Sequence, residues 1–283
     1  MTRTIHGPPG PLDTAIAAPG RPRLRGGRIR ATTKIVTAAV WTTVLCLGWA
    51  LGSAVILLFP RARVRWRHRV VRTWARALCN ILGVRIHLTG TPPEAPFFLV
   101  ANHLTYIDIL LLYTRVDGVF IAKRDMRHWP VLGPLANLFS TIWVNREVRR
   151  DAVRVLDLID ESIARGDGVI LFAEGTTSAG NALLPMRPAL FDWAAREQFP
   201  VHYAVLGYRT DPGVPVHLVV GWWGNMPFLS HAWDFCRLHG VDARLAFGTT
   251  PITAPTRGEL ANRVEQAIAA EFIPLVTTER LTA

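Results

Sequence analysis

Cysteine is scarce in this 283-residue chain: Cys46, Cys79 and Cys236 lie far apart, and no pair has redox or metal-ligand spacing. That excludes a disulfide framework and reads as three unpaired thiols in a reducing compartment. No His, Asp or Glu cluster recurs at ligand spacing, so a metal-dependent enzyme lacks its ligands. His231 and His239 read as ordinary surface or partly buried residues. The G-x-S-x-G elbow of a serine lipase or thioesterase is absent. The run Gly175-Thr176-Thr177-Ser178-Ala179-Gly180 has the wrong spacing, and Ser178 reads as a turn residue. Acidic residues are missing from the front. Residues 1–85 hold fifteen Lys/Arg against Asp13 alone, whereas residues 86–283 hold seventeen Lys/Arg against twenty Asp/Glu. The net charge of +11 therefore belongs to one end of the chain.

Apolar residues, by contrast, are abundant. They make up 50% of the chain, and the mean hydropathy of +0.22 is high for a soluble enzyme. Residues 1–34 are rich in Pro, Gly and Arg and read as a disordered basic tail. Ile35 to Phe59 then runs for 25 residues without a charge. At about 1.5 Å per residue this helix is long enough to cross a hydrocarbon core of about 30 Å. It starts late and is long for a signal peptide. Gly48 and Gly52 form a GxxxG pair, a weak packing signal.

After Pro60 come Arg61, Arg63, Arg65, Arg67, Arg69, Arg72 and Arg76, interleaved with apolar residues. Val70, Val71, Trp74, Leu78, Ile81 and Leu82 have the spacing of one helix face. A basic amphipathic helix beside a long apolar one reads as an element for an anionic membrane surface, with Trp66 and Trp74 suited to the headgroup layer. A nucleic-acid partner would leave the apolar segment without a role. Both flanks of that segment are basic. A simple crossing would leave one basic flank outside, whereas a helix that enters one leaflet and returns keeps both on the cytoplasmic side; the second arrangement is favoured. Residues 35–83 form the expected membrane-associating segment.

From Val84 the texture changes to short apolar strands alternating with helical periodicity. Strands are expected at Val84–Leu88, Phe97–Ala101, Val119–Ala122, Thr141–Val144, Gly168–Phe172, Val201–Gly207 and Val216–Val220. Helices are expected at Tyr106–Leu112, Trp129–Phe139 broken by Pro134, Asp151–Arg165, Pro188–Glu197 and Leu260–Phe272. The pattern implies an α/β domain over residues 84–275, a sheet with helices on its faces.

Within it, Asn102-His103-Leu104-Thr105-Tyr106-Ile107-Asp108 follows a short strand and opens a helix. Nine His and twelve Asp give about 0.4 His-x4-Asp pairs by chance, so the spacing alone is weak. Its position is more telling, because open α/β sheets place ligands at the carboxyl ends of strands. On one helix the two residues would point about 140° apart. They meet only if His103 lies in the turn and Asp108 in the first helical turn, where an acid suits the helix dipole. An imidazole, with an ordinary pKa of about 6.5, can take the proton of a hydroxyl as it attacks a carbonyl. A carboxylate on the other ring nitrogen fixes the tautomer and stabilises the imidazolium. The bland alternative is a surface His at a helix start.

Asn102-His103-x4-Asp108 resembles the NHxxxxD motif of the glycerolipid acyltransferase superfamily, the PlsC-type lysophosphatidate acyltransferases. Further blocks resemble that family in order: Ala122-Lys123; Trp129-Pro130-Val131-Leu132-Gly133 with Thr141-Ile142-Trp143-Val144-Asn145-Arg146; Phe172-Ala173-Glu174-Gly175-Thr176; and Pro200-Val201 with Val205. They cover roughly residues 70–250. The resemblance implies a mixed sheet flanked by helices, with His103 as base and Asp108 as its partner. It implies that Arg146 and the Glu174-Gly175-Thr176 loop hold the acceptor head group. Arg146 offers a planar fork for phosphate or carboxylate, although a salt bridge with Glu147 or Asp151 is its plainer role. Lys123 adds charge there or is a solvated lysine. No cofactor is implied beyond the co-substrate, acyl-carrier protein or acyl-CoA, and the backbone amides near the helix start are candidates to steady the oxyanion.

Three positions depart from the pattern. Thr177 stands where the family usually has an arginine, Ala173 stands for its proline, and His202-Tyr203-Ala204 stands for a proline-containing segment. Arg187 is the replacement arginine the sequence offers. Glu174 to Asn181 with Leu184-Pro185, and Trp222-Trp223-Gly224-Asn225-Met226 with His231 and Trp233, resemble a bacterial branch that includes lyso-ornithine lipid acyltransferases. The expected acceptor is lysophosphatidate, giving phosphatidate, with lyso-ornithine lipid as the alternative. The expected location is the cytoplasmic face of a bacterial inner membrane. A non-catalytic membrane adaptor would not need the His103/Asp108 pair.

Overall fold

The structure, a computed structural model, describes residues 24, 26–56, 60–129, 132–145 and 151–282. Most of the expected tail, the last three residues of the apolar run, Pro130, Val131 and Arg146 lie outside the described residues. Helix α1 is Arg28–Ile56 and α2 is Pro60–Leu82. Seven strands follow: β1 (Val84–Thr89), β2 (Phe98–Ala101), β3 (Gly118–Lys123), β4 (Ile142–Val144), β5 (Gly168–Phe172), β6 (Val201–Arg209) and β7 (Val241–Phe247). The remaining helices are α3 (Ile107–Tyr113), α4 (Leu132–Leu138), α5 (Asp151–Ala164), α6 (Asp192–Arg196), α7 (Val216–Val219), α8 (Phe228–Arg237), α9 (Arg257–Glu271) and α10 (Thr278–Thr282).

The strands form one sheet in the order β1-β7-β6-β2-β5-β3-β4. From β6 to β4 all run parallel; β7 lies antiparallel to β6, and β1 pairs parallel with β7. The sheet is therefore mixed and flanked by helices. Strand β2 is buried at every position because helices cover both faces, which is why it reads as an unbroken apolar run. Leu99 and Ala101 join the core beneath α2 and α3, while Phe98 and Val100 join the core that also contains residues of α5, α6 and α9. Burying each large apolar side chain contributes about 1.5–3 kcal/mol.

Several expectations change. Val216–Val220 is not a strand: Val216–Val219 form a short helix. Strand β6 already has β2 on one side and β7 on the other, so no edge remains there, and a short apolar run suits either structure. Strand β7 and helix α8 carry no element in the sequence reading, although Val241 to Leu245 alternates apolar and polar. Helix α4 starts at Leu132, later than Trp129, and Pro134 lies in its first turn, where the ring is tolerated and breaks nothing.

Helix α1 begins at Arg28, inside the expected tail, because tertiary contacts hold its start. Arg30 donates to the Arg237 carbonyl at 2.8 Å, and the Lys34 ammonium donates to the carbonyls of Leu82 and Leu238 at 2.6 and 3.0 Å. Helix α2 returns antiparallel to α1. Trp74 Nε1 donates to Thr42 Oγ1 at 3.0 Å, and a Cβ on Gly52 would come 2.5 Å from the Trp66 ring. The apolar face of α2 does not meet lipid. Val70, Val71, Trp74, Ala75, Leu78 and Cys79 are buried, and Trp74 packs 5.0 Å from Phe139, because the sheet body and α1 supply the apolar partner. Helix α1 keeps the open stripe: Val36, Val40, Val44, Leu47 and Leu51 are exposed at helical spacing. Among the described residues this is the one helix long and apolar enough to cross a membrane.

Gly83 joins α2 to β1 with φ +78°, and a Cβ there would lie 2.8 Å from the His239 carbonyl. Gly83→Ala is expected to lower stability by about 1–3 kcal/mol. A thermal midpoint unchanged from wild type would contradict this.

Candidate active site

The parallel strands β2 and β5 end side by side, and their carboxyl ends carry the chemistry. After Ala101, Asn102 turns inward. Its side-chain amide donates to the Leu206 carbonyl at 3.0 Å and its oxygen accepts from Leu206 N at 2.7 Å, so it ties the turn to β6. His103 then occupies the turn and Asp108 the first turn of α3, the arrangement the five-residue spacing requires.

His103 Nδ1 lies 2.8 Å from Asp108 Oδ2. The same oxygen accepts from Leu104 N at 2.6 Å and Thr105 N at 2.9 Å, while Oδ1 accepts from the Tyr208 hydroxyl at 2.5 Å. Asp108 is fully buried. These four donors satisfy a carboxylate that would otherwise be costly to remove from water. Burial pushes the Tyr208 hydroxyl well above its ordinary range, with the Asp108 charge adding to the effect, so it stays protonated and donates. With Nδ1–H given to Asp108, Nε2 of His103 is left to accept a proton. The ring stacks on Phe172 with centroids 3.8 Å apart and keeps 17% of its side chain open to solvent.

In the turn before α3, the amides of Leu104 and Thr105 donate to Asp108, which narrows the amides near the helix start that could steady an oxyanion.

Glu174 locks the second loop to the first. Its Oε1 accepts from His103 N at 2.6 Å and its Oε2 from Leu184 N at 3.1 Å. Ser178 N donates to the His103 carbonyl at 3.2 Å and its Oγ accepts from Gly180 N at 3.2 Å, so buried Ser178 shapes the turn. Gly175 turns the chain with φ +76°, and Gly175, Thr176 and Thr177 remain partly open at the rim. Arg187 N closes the loop onto the Ala173 carbonyl at 3.0 Å, and its Nε reaches the Glu174 carbonyl at 3.4 Å. Thus His103, Asp108, Glu174, Gly175, Thr176 and Arg187 come together. Lys123 ends β3 at the same edge of the sheet, beyond β5. Arg146 lies outside the described residues.

Sequence reasoning missed Tyr208, 100 residues beyond Asp108. Its hint was a hydroxyl at a buried position of β6, a strand that also carries Tyr203. It also missed an aromatic wall of Tyr106, Trp129, Trp222 and Phe228 beside the catalytic turn, tied on by Trp222 N donating to the Leu104 carbonyl at 2.9 Å. His231 supports that wall. It is buried, with Nε2 2.8 Å from the Gly221 carbonyl and Nδ1 3.2 Å from the Tyr106 hydroxyl, and burial holds it down at about 4.

Burial pushes the Glu174 carboxyl up to about 8; Asp108 and Glu265 add to the rise and the two N–H donors oppose it. The fold therefore favours its protonated form. That stabilisation is complete below the ordinary value of 4.5 and is lost as pH rises toward 8. The thermal midpoint is expected to fall between about pH 5 and about pH 8, and to fall less in Glu174→Gln. Equal slopes in both proteins would contradict this.

Residues 83–206 match the Acyltransferase family model. A lyso-ornithine lipid O-acyltransferase of Brucella abortus is 33% identical over 227 residues, 75% of this chain and 85% of that protein. A 1-acyl-sn-glycerol-3-phosphate acyltransferase of Neisseria meningitidis is 32% identical over 149 residues, 52% of this chain and 58% of that protein. The crystal structure of the 1-acyl-sn-glycerophosphate (LPA) acyltransferase PlsC from Thermotoga maritima shares the fold, with a TM-score of 0.62 at 17% identity over 90% of this chain and 98% of that one. With a family match across the catalytic turn and a relative this similar over most of both chains, the protein belongs to the PlsC-type acyltransferase family and is an O-acyltransferase of lipid biosynthesis.

Proposed function

We propose that the protein transfers a fatty acyl chain to the free hydroxyl of a lysolipid, with lysophosphatidate as the first acceptor and phosphatidate as product. The observation that carries this is His103, oriented through Nδ1 by buried Asp108 and open at Nε2. Nε2 takes the hydroxyl proton as the oxygen attacks the thioester carbonyl of acyl-carrier protein or acyl-CoA. The carbon–sulfur bond then breaks, and the imidazolium returns the proton to the departing thiolate. No covalent enzyme intermediate is needed. Asp108 holds the tautomer and stabilises the imidazolium, and Tyr208 holds Asp108. Arg187, beside the Glu174 carbonyl, supplies a guanidinium for the acceptor's anionic group where Thr177 lacks one. Arg146, Lys123 and the Gly175-Thr176 rim complete the reading of the head-group site.

A second acceptor, lyso-ornithine lipid, is favoured by a specific observation. The relative named for that substrate aligns over 75% of this chain, against 52% for the relative named for the glycerophosphate. A zwitterionic acceptor also asks less of the missing arginine at Thr177.

We place the protein on the cytoplasmic face of a bacterial inner membrane. Helix α1 is fastened to the body at Lys34 and leans on α2 as far as Gly52, so it is not free to cross a bilayer alone. Its exposed apolar stripe suits insertion into one leaflet, with the basic flanks kept on one side.

Purified protein supplied with radiolabelled acyl-carrier protein or acyl-CoA is expected to acylate lysophosphatidate, and His103→Ala to lose at least about a hundredfold. Product from lyso-ornithine lipid alone would move the acceptor to the second reading, and full activity in His103→Ala would sink the mechanism. Tyr208→Phe is expected to lower kcat by about tenfold with KM near wild type, and to lower the thermal midpoint, because a buried hydrogen bond to a charged group is worth about 1.5–3 kcal/mol. An unchanged kcat would reduce Tyr208 to packing.

A further inference from the structure

At the far end of the sheet from the catalytic turn, a cavity of about 490 Å³ opens between the two-helix hairpin and the body. Its walls include Trp49, Arg63, Arg67, Leu138, Ser140 and Arg165, and no acidic side chain lines it among the described residues. Ser140 precedes β4 and Arg165 precedes β5, whereas His103 follows β2; these strands run in one direction. The cavity is therefore separated from the catalytic turn by the length of the strands.

Its three guanidiniums are not equivalent. Arg67 is buried and paired with buried Asp167, and its Nη1 donates to Ser140 Oγ at 3.0 Å. His68 Nε2 lies 2.7 Å from the same Asp167 oxygen. These contacts hold Arg67 in place and leave further N–H donors on its fork, which carries five. Asp167 gives Oδ1 to Arg67 and His68, and its Oδ2 lies 3.9 Å from Arg165 Nε, so one buried carboxylate serves two of the three guanidiniums and the lining stays cationic. Arg63 has no hydrogen-bond or ion-pair partner among the described residues. Arg165 is exposed; besides Asp167 it meets Glu161 at 3.3 Å, a contact that water weakens, and donates to Ser162 Oγ at 3.2 Å. Trp49 and Leu138 make the opposing wall apolar.

We propose that this cavity binds the phosphate head group of an anionic phospholipid. Guanidinium forks take phosphate oxygens two at a time, and free phosphate would have no use for the indole and leucine beside them. Basic pockets between membrane-proximal helices take anionic head groups. The apolar stripe of α1, the helix that supplies Trp49, brings the cavity to the bilayer surface, so this step rests on the membrane reading of α1. The hairpin is then held by two kinds of contact: apolar residues in the hydrocarbon, and a head group clamped between hairpin and body.

The test is native mass spectrometry of the full chain in neutral detergent, with phosphatidylglycerol, phosphatidylcholine or sn-glycerol 3-phosphate added. This measures binding without acyl transfer and without a bilayer, so its failure is distinct from failure of the proposed function. One phosphatidylglycerol is expected to bind, about tenfold more tightly than phosphatidylcholine. The double variant Arg63→Gln/Arg165→Gln is expected to lose about tenfold or more, while Arg65→Gln/Arg69→Gln, which removes equal charge from α2 outside the cavity, stays within about threefold of wild type. Thermal midpoints of both variants report whether the fold is intact. Equal loss in the two variants, or equal binding of the two lipids, would overturn the proposal. Binding of sn-glycerol 3-phosphate as tightly as the lipid would overturn the lipid assignment in favour of a free phosphate ester.

Discussion

A carboxylate removed from water must be met by donors, and Asp108 is met by four of them from two parts of the chain. Two are the amides of Leu104 and Thr105 in the turn before α3, one is the imidazole of His103, and one is the hydroxyl of Tyr208 on β6. The demand for donors sets the geometry. It pulls the turn after β2 back onto its own helix, aims the imidazole, and makes β6 a partner of the catalytic turn. Asn102 adds a second tie to β6 through Leu206, and Glu174 a third to the loop after β5. The site is rigid because the carboxyl ends of three adjacent strands are laced by buried hydrogen bonds.

Glu174 is the counterpart of Asp108 in this lacing. Both are buried acids near each other, and both accept from backbone amides. Asp108 has a histidine and a tyrosine to share its charge, whereas burial drives Glu174 toward its neutral form. Two nearby carboxyls thus divide their tasks by environment: one orients the base, and the other holds the loop that forms the rim.

The amino-terminal hairpin follows the same economy of partners. The arginines of α2 suggested an amphipathic helix at an anionic membrane surface, but its apolar face is consumed by the protein and Arg67 is paired with buried Asp167. The apolar face left over belongs to α1. The helix with the more obvious membrane signature is therefore the one available to the membrane, and the basic helix beneath it joins that surface to the body.

By itself, the sequence determined the alternation of strands and helices and the location of the apolar segment, because periodicity follows from backbone geometry. For His103 and Asp108 the spacing only allowed a meeting across a turn and a helix start; the family blocks around them selected it. The strand at Gly168–Phe172 and the helix starting at Asp151 were legible from a strong period bounded by turn residues. What only tertiary structure decided is non-local. Val216–Val219 forms a short helix, and the strand before it, β6, has both neighbours filled by β2 and β7. Tyr208 reached Asp108 because β6 lies beside β2, a neighbour relation that no spacing encodes. The amides of Leu104 and Thr105 went to Asp108, and the greasy face of α2 turned inward because a sheet was there to receive it. Local patterns state what a segment can bury or donate; the fold decides which partner takes it.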